Sequence, residues 1–210
     1  MSTLQVDSLI FDVDGTLWDS VEVAAKAWNT IIDEMGLEKH VTGEELQNLF
    51  GRPMDVIFNT LFPGLDPGMA DVFSEKCMGY ENDLLLEEPG TVYPHVVETI
   101  RELSKKMPLF IVSNCQSGYI EVCMKDLGIE AYITDTLCFG DRPVSKGANI
   151  RYLADKHGLK APAYVGDTQG DADACVEAGV PIIFADYGFG SVKAPDHVIS
   201  DFKELLDLCQ

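Results

Sequence analysis

The sequence predicts an α/β protein with a Rossmann-like parallel sheet, helices on both faces of that sheet, and an inserted all-α segment. Three observations predict this fold class. From residue 89 onward, short apolar runs such as LFIVSN at 109–114 alternate with helical segments, and such runs are typical of strands buried on both faces. A similar run, VDSLIFDV at 6–13, lies near the start of the chain. Between residues 19 and 83, helical periodicity dominates and no segment resembles a strand.

The segment that follows the first strand is predicted to be helical throughout. Apolar residues recur at steps of three and four in the first of these helices, which Asp19 or Ser20 is expected to cap. Further helical segments are predicted at 42–50, 53–61 and 68–83. We therefore expect an α/β core formed by residues 1–17 and 85–210, with residues 18–84 inserted as a helical domain.

The second half of the chain is predicted to alternate between strands and helices. Strands are expected at 109–114, 132–139, 163–166 and 181–185. Helices are expected from Pro94 and at 117–127, 145–157 and 169–178, with a closing helix near 201–208. Glycine directly follows three of these helices, where a left-handed residue can end a helix. This alternation favours a parallel sheet.

Length and composition limit the function classes. The 210 residues allow one large domain or a core with a smaller domain, and 46% hydrophobic and 24% charged residues are typical of a soluble globular protein. No segment has the roughly 18 uninterrupted apolar residues of a membrane helix, and the N-terminal segment has no signal-peptide pattern. We therefore expect a cytoplasmic protein without membrane contact. The net charge of −20 argues against binding to nucleic acid or to an anionic membrane.

The cysteines and histidines do not indicate a metal or disulfide framework. The six cysteines form no CxxC motif, and most of them lie within apolar runs. We expect reduced, buried thiols, with a disulfide or zinc framework as the less favoured alternative. The four histidines are scattered along the chain, and we expect them to be structural or exposed.

Polar side chains follow the predicted strands at the point where each strand ends. In open parallel sheets, ligands bind beyond the carboxyl ends of the strands, so these side chains are expected to lie close together. Asp12 and Asp14 begin on the same side of one strand, and their charges repel each other unless a cation offsets them. The residues expected at this edge are Asp12, Asp14, Thr16, Ser113, Asn114, Lys146, Asp167 and Asp171.

Four segments in this order resemble the motifs of the haloacid dehalogenase-like phosphatase superfamily. They are DVDGT at 12–16, the strand ending in Ser113-Asn114, Lys146, and GDTQGD at 166–171. The helical segment after the first motif resembles the cap domain of the C1-type members, phosphoglycolate phosphatases among them. The resemblance spans nearly the whole chain. In the family pattern, proline often follows the lysine, whereas Gly147 follows Lys146 here.

The resemblance implies a magnesium-dependent phosphoryl transfer. Asp12 would be the nucleophile and a Mg²⁺ ligand, because a carboxylate nucleophile can carry the phosphoryl group as an aspartyl-phosphate. Asp14 would be the general acid and base, binding the metal through its backbone carbonyl. Asp167 would be a further carboxylate ligand. Asp171 would reach the metal through water or hold Lys146, unless it serves only as a charge at a helix terminus.

Four groups are expected to bind the substrate phosphate. Thr16 supplies a hydroxyl, Ser113 and Asn114 precede a helix whose N-terminus favours anions, and Lys146 supplies a compact positive charge. Arg52, within a Gly-Arg-Pro turn of the inserted segment, is the candidate contact for a second anionic group on the substrate. An ordinary exposed arginine is the alternative at that position.

These residues predict a Mg²⁺-dependent phosphoric monoester hydrolase that acts on a small phosphorylated metabolite through an aspartyl-phosphate. One alternative is a sugar-phosphate mutase on the same scaffold, which passes the phosphoryl group to a second hydroxyl. A less favoured alternative is a non-enzymatic phospho-acceptor module. Dehalogenation fits poorly, because those enzymes lack the acidic metal site implied here. The sequence does not distinguish phosphoglycolate, sugar phosphates and nucleotides as substrates, and it does not indicate the oligomeric state.

Overall fold

A computed structural model describes residues 3–210, which form α-helices and β-strands in close alternation. The elements of the first half are β1 (Ser8–Phe11), β2 (Trp18–Asp19), α1 (Val21–Glu34), α2 (Gly43–Gln47), α3 (Met54–Leu61), α4 (Pro67–Leu85), β3 (Thr91–Val92) and α5 (Val96–Leu103). Those of the second half are β4 (Leu109–Ser113), α6 (Tyr119–Leu127), β5 (Asp135–Cys138), α7 (Lys146–His157), β6 (Pro162–Gly166), α8 (Gln169–Ala178), β7 (Ile182–Ala185), β8 (His197–Ile199) and α9 (Leu205–Leu208).

Six parallel strands form the central sheet in the order β5-β4-β1-β6-β7-β8. The apolar runs become strands because both faces of the sheet are covered: Leu9, Ile10 and Phe11 of β1 are fully buried. The predicted fold class is therefore confirmed. β1 lies between β4 and β6, so its carboxyl end is at the centre of the sheet edge where the order of the strands reverses.

The helices α1 to α4 pack around an apolar cluster of their own. Trp28 on α1 is fully buried in this cluster and stacks on Phe58 of α3 with ring centroids 4.5 Å apart. Two further clusters lie against the central sheet. This separation agrees with a helical domain at 18–84 and a core at 1–17 and 85–210, boundaries that stay a prediction.

A small antiparallel pair of strands, β2 and β3, lies at the two ends of the inserted segment. Trp18 pairs with Val92 and Asp19 with Thr91. The prediction that residues 19–83 contain no strand is therefore wrong at Asp19, where β2 ends. Two-residue strands leave no alternating pattern that a sequence can display, and their pairing depends on the folded insertion.

Several other boundaries differ from the predicted ones. β5 begins at Asp135 rather than at 132, because Glu130–Tyr132 forms a 3₁₀ turn. The closing helix begins as a second 3₁₀ turn at Phe202–Glu204. β8 was not predicted, since three residues with a half-exposed pattern resemble a loop.

Two structural findings concern the cysteines and the length of the apolar helices. All six cysteines are free and buried. No helix within residues 3–210 is long and apolar enough to cross a membrane.

Candidate active site

The chain turns sharply after β1, and a glycine makes that turn possible. Gly15 has a φ of +77°, which glycine adopts without the steric cost that a side chain brings. A Cβ atom at this position would lie 2.1 Å from Oδ2 of Asp167. The turn therefore brings the backbone after Asp12 directly against the carboxylate that follows β6.

Three buried carboxylates meet at this edge of the sheet. Asp12, Asp167 and Asp171 each offer an oxygen within 4.8 Å of the other two. Lys146, the first residue of α7, is also buried and places its Nζ 3.0 Å from Oδ2 of Asp12 and 2.6 Å from Oδ1 of Asp171. Residues from the start, middle and end of the chain thus meet in one cluster.

The cluster holds more negative charge than its lysine can neutralise. Burial raises the pKa of Asp12 to about 6, although the ion pair with Lys146 opposes this shift. Burial and the charges of Asp171 and Asp12 raise the pKa of Asp167 to about 8. Burial disfavours the charged form of Lys146, but Asp12 and Asp171 more than offset this and raise its pKa above the ordinary value. A further positive charge would therefore stabilise the ionised carboxylates.

The donor set of the cluster fits a hard divalent cation. Oδ1 of Asp12 is buried and has no hydrogen-bond partner within residues 3–210, which leaves it available as a ligand. Carboxylate oxygens are the ligands that Mg²⁺ takes in proteins. Asp12 and Asp167 offer such oxygens directly after the adjacent strands β1 and β6.

Asp14 lies outside this cluster and has different surroundings. Its Oδ1 accepts hydrogen bonds from Ser20 Oγ at 2.9 Å and from Tyr119 Oη at 2.5 Å. Burial raises the pKa of Asp14 to about 7, while the bond from Tyr119 opposes that rise. Asp14 can therefore gain and lose a proton near neutral pH. The sequence did not indicate a role for Tyr119, and it indicated Ser20 only as a helix cap.

Thr16 and the loop after β7 orient Asp167. The Thr16 hydroxyl is buried and donates to Oδ1 of Asp167 at 3.4 Å, and the backbone N–H of Phe189 donates to Oδ2 at 2.7 Å. The Tyr187 hydroxyl donates to the backbone oxygen of Thr16 at 3.0 Å. The structure thus places Thr16 against a carboxylate, a contact that its predicted role in phosphate binding did not include.

Ser113 and Asn114 lie beside the carboxylate cluster, at the end of β4. Asn114 Nδ2 donates to the backbone oxygen of Gly51 in the inserted segment at 2.8 Å, and its Oδ1 is buried without a partner in the described chain. The helix expected from residue 117 begins at Tyr119, so the two residues stand further from the helix N-terminus than expected.

Asp171 has two roles in the structure. Its Oδ1 accepts a bond from Lys146 at 2.6 Å, and holding this lysine is one of the two alternatives that the resemblance implied. Its Oδ2 accepts a bond from the backbone N–H of Thr168 at 3.0 Å, and its own backbone N–H donates to the Thr168 hydroxyl at 3.3 Å, so the two residues form a capping box at the start of α8. The alternative role as a helix-terminus charge therefore coexists with the lysine contact.

A cleft lies between the sheet edge and the helical insertion. Its lining residues include Asp12, Asp14, Ser113 and Asn114 from the core. Those from the insertion are Phe50, Gly51, Arg52, Met54, Ile57 and Glu81. Both sides thus contribute polar side chains to one space.

Arg52 and Glu81 are the two charged residues that the insertion places in this cleft. Arg52 is exposed and forms no ion pair with the described residues. Glu81 is buried, and its Oε2 accepts a bond from Trp28 Nε1 at 2.6 Å. Glu81 was not predicted as a site residue, although it follows Phe73 and Cys77 in steps of four, which places it on the buried face of α4.

Comparisons with known proteins agree with the fold and identify the family. The family model described as haloacid dehalogenase-like hydrolase matches residues 9–185. A phosphoglycolate phosphatase of Vibrio parahaemolyticus is 28% identical, over 99% of this chain and 98% of that protein. A phosphoglycolate phosphatase of Aliivibrio fischeri is 29% identical, over 94% of each chain.

Solved structures share the same fold at lower sequence identity. A structure described as a predicted phosphoglycolate phosphatase from Haemophilus somnus is similar with a TM-score of 0.84 and 23% identity, over 96% of this chain and 97% of that one. A haloacid dehalogenase-like hydrolase from Streptococcus pneumoniae is similar with a TM-score of 0.82 and 21% identity, over 96% and 97% of the two chains. At these identities the similarity supports the fold alone.

Proposed function

Because the chain belongs to the haloacid dehalogenase-like hydrolase family and is a phosphatase, we propose that it hydrolyses the phosphate monoester of a small metabolite with Mg²⁺ as its cofactor. The observation that carries this proposal is the buried cluster of Asp12, Asp167 and Asp171 around Lys146. Phosphate monoesters hydrolyse very slowly without catalysis, so the site must supply a nucleophile, an acid and positive charge.

Asp12, Asp167 and the backbone carbonyl of Asp14 are the proposed metal ligands, with Asp171 acting through water or through Lys146. The buried, unpartnered Oδ1 of Asp12 and the excess of negative charge support this assignment. When bound, the cation supplies positive charge that screens the Asp12 carboxylate from the phosphate and neutralises charge on the transferred group.

Asp12 is the proposed nucleophile, and Asp14 the proposed general acid and base. Asp12 attacks phosphorus, the bond to the leaving oxygen breaks, and Asp14 donates a proton to that oxygen. Asp14 then takes a proton from the water that hydrolyses the aspartyl-phosphate, which releases phosphate and restores both residues. The pKa of about 7 that burial gives Asp14 suits both steps near neutral pH.

The remaining phosphate oxygens need donors, and four residues are proposed to supply them. Lys146 carries a positive charge that its two carboxylate partners stabilise. Ser113 and Asn114 line the cleft beside Asp12, and Asn114 also contacts the insertion. Thr16 supports Asp167 through its hydroxyl, so its contribution to phosphate binding is the least direct of the four.

The substrate is proposed to be small, because the insertion at 18–84 covers the cleft as a cap domain. Arg52 is a candidate contact for a second anionic group on the substrate, since it lines the cleft without an ion pair in the described chain. The names of the curated relatives make 2-phosphoglycolate one candidate substrate. Sugar phosphates and nucleotides are the others, and a cytoplasmic location stays a prediction.

A screen of phosphorylated metabolites that measures released phosphate tests the proposed function. We expect release with Mg²⁺, loss of release when EDTA removes the metal, and inhibition when Ca²⁺ replaces Mg²⁺, because Ca²⁺ takes more ligands in a looser geometry. Phosphorus NMR of the same reactions separates hydrolysis from transfer to a second hydroxyl. Activity that persists in EDTA, or a positional isomer formed without free phosphate, would contradict the proposal.

A further inference from the structure

Glu81 is a buried carboxylate on the insertion side of the cleft, and the proposed mechanism does not use it. The residue lies on α4, is 2% exposed, and lines the same cleft as Asp12 and Asp14. Its Oε2 accepts a hydrogen bond from Trp28 Nε1 at 2.6 Å. Because Trp28 stacks on Phe58 in the apolar cluster of the insertion, packing fixes the position of its Nε1–H donor.

The turn of α4 that carries Glu81 is also held against the core. Its neighbour Asn82 accepts a hydrogen bond from Gln116 Nε2 at 3.1 Å and donates one to the backbone oxygen of Ser117 at 3.0 Å. Both partners lie in the loop between β4 and α6. The Glu81 carboxylate therefore has a defined position relative to the sheet edge.

Glu81 has no cationic partner in contact among the described residues, although Arg52 lines the same cleft. Within residues 3–210, no lysine, arginine or histidine forms an ion pair with it. Burial raises the pKa of Glu81 to about 7 and the negative charge of Asp14 adds to this rise, while the bond from Trp28 and the nearby side-chain amide of Gln116 oppose it. Buried carboxylates are ordinarily paired or fully hydrogen-bonded, and an ionised carboxylate accepts about four hydrogen bonds. Glu81 thus has acceptor capacity that a donor entering the cleft would satisfy.

We propose that Glu81 determines specificity by accepting a hydrogen bond from a hydroxyl or ammonium group on the leaving group of the substrate. This inference rests on the proposed function, because it requires the phosphate to bind beside Asp12. The leaving oxygen then faces Asp14, and the rest of the leaving group extends toward α4. Phosphate esters of small alcohols that carry a second hydroxyl or an amine satisfy this arrangement.

The same geometry disfavours a substrate whose leaving group ends in a carboxylate. Such a group would come close to the buried carboxylate of Glu81, where repulsion between like charges is stronger than in bulk water. We therefore expect 2-phosphoglycolate to be a poor substrate of this protein, in contrast to the activity for which its curated relatives are named.

The test compares kcat/KM for esters that differ in the leaving group. sn-Glycerol 3-phosphate presents hydroxyls, O-phosphoethanolamine an ammonium and 2-phosphoglycolate a carboxylate, while p-nitrophenyl phosphate measures general phosphatase activity. Assays with Mg²⁺ at about pH 8 keep the Glu81 carboxyl largely ionised. We expect at least one donor-bearing ester to be preferred over 2-phosphoglycolate by about tenfold or more. Comparison of sn-glycerol 3-phosphate with O-phosphoethanolamine shows whether a hydroxyl or an ammonium donor is accepted.

The variant Glu81→Gln removes the charge and keeps an amide oxygen for Trp28. We expect it to lower the preference for the donor-bearing ester over 2-phosphoglycolate by about tenfold. The matched control is Asp83→Asn, which removes one charge from an exposed position of the same helix and should leave the preference unchanged.

Two results would overturn this inference. Preference of the wild-type protein for 2-phosphoglycolate would exclude the proposed role of Glu81. It would favour Arg52 as the residue that contacts the leaving group. This comparison needs no variant. An unchanged preference in folded Glu81→Gln would also exclude it. Absence of phosphate release from every ester, including p-nitrophenyl phosphate, is a different result that refutes the proposed function itself.

Discussion

Asp12 and Asp14 are separated by one residue in the chain, yet their carboxylates have different partners. Asp12 faces Lys146 and the acids of β6 and α8, whereas Asp14 faces the hydroxyls of Ser20 and Tyr119. The ionised form of Asp12 is stabilised by a full positive charge, and Asp14 receives only neutral donors. This difference supports Asp12 as the nucleophile and Asp14 as the residue that donates and accepts the proton.

Replacement of the nucleophile provides the first prediction. We expect Asp12→Asn to lower kcat for p-nitrophenyl phosphate by about 10³-fold or more, because an amide cannot attack phosphorus and be released again. The variant should remain folded, since Lys146 keeps its 2.6 Å bond to Asp171. Phosphate release and thermal unfolding measure the two properties. Retention of a tenth of the wild-type rate would rule out Asp12 as the nucleophile.

At the residue scale, the sequence predicted the charged members of the site better than their neutral partners. Asp12, Lys146, Asp167 and Asp171 lie together as the motif order implied. Gly147, which departs from the family pattern, leaves Lys146 in the site. Glycine suits this position because a Cβ atom at residue 147 would lie only 2.7 Å from the backbone oxygen of Ala174 on α8. Neutral hydroxyls such as that of Tyr119 carry no sequence signal, because only the folded sheet brings them to Asp14.

At the scale of elements, the turn after β1 packs directly against Asp167, the carboxylate that follows β6. We expect Gly15→Ala to lower kcat/KM by about 100-fold, because the added Cβ would lie 2.1 Å from Oδ2 of Asp167 and displace that carboxylate. Gly179→Ala is the matched control, since its φ of +76° is nearly that of Gly15 and no atom lies within 4 Å of the added Cβ.

The control separates backbone strain from the contact with Asp167. Gly179→Ala should cost about 1 kcal/mol of unfolding free energy and leave kcat/KM near the wild-type value. Equal losses of activity in the two variants would show that the contact between the β1 turn and Asp167 is not what matters for catalysis.

The contacts between α4 and the loop after β4 give a second prediction at this scale. We expect Asn82→Ala to lower kcat/KM about tenfold, because it removes two hydrogen bonds that join the insertion to the core over the cleft. Asn59→Ala, at an exposed position of α3, should have no effect. Steady-state kinetics on one ester decide the comparison, and equal rates for both variants would exclude a role for these bonds.

Short elements were the ones that sequence patterns did not predict. The long helices α1 and α4 follow from apolar periodicity, whereas β2 and β3 have two residues each and depend on each other across the whole insertion. Glu81 was also missed. The helix that carries it was predicted, but the sequence did not show what the buried face of that helix packs against.

At the scale of the whole molecule, the site buries carboxylates whose ionised forms are unfavourable, and a bound cation would offset part of that cost. Burial raises the pKa values of Asp12, Asp14, Glu81 and Asp167 to between about 6 and 8, well above those of an unfolded chain. The folded state therefore binds more protons than the unfolded state in this range. As the pH rises through these values, the free energy of unfolding falls.

We predict that the metal-free protein loses thermal stability as the pH rises. In EDTA, Tm should fall by about 5 °C or more between about pH 5 and pH 8.5. Mg²⁺ should restore Tm at the upper end of this range and have little effect at the lower end, where protons occupy the carboxylates. Calorimetry in matched buffers measures both effects.

Asp167→Asn serves as the control for this stability profile. The variant removes the carboxyl with the highest of these pKa values, so its Tm in EDTA should depend less on pH than that of the wild type. A wild-type Tm that is constant or rises toward pH 8.5 in EDTA would contradict the proposed charge balance.

The central position of β1 also affects how the protein is made on the ribosome. Leu9 pairs with Leu109 on one side and with Ala163 on the other, so the strand that emerges first has no neighbour until much later in translation. At roughly 5–20 residues per second, its second neighbour emerges roughly 10–30 s after it. Helices α1 to α4 are synthesised after β1 and before β4, so they can pack their own apolar cluster before the central sheet forms. A ribosome that stalls between α4 and β4 therefore leaves a nascent chain with a formed cap and an unpaired, aggregation-prone strand.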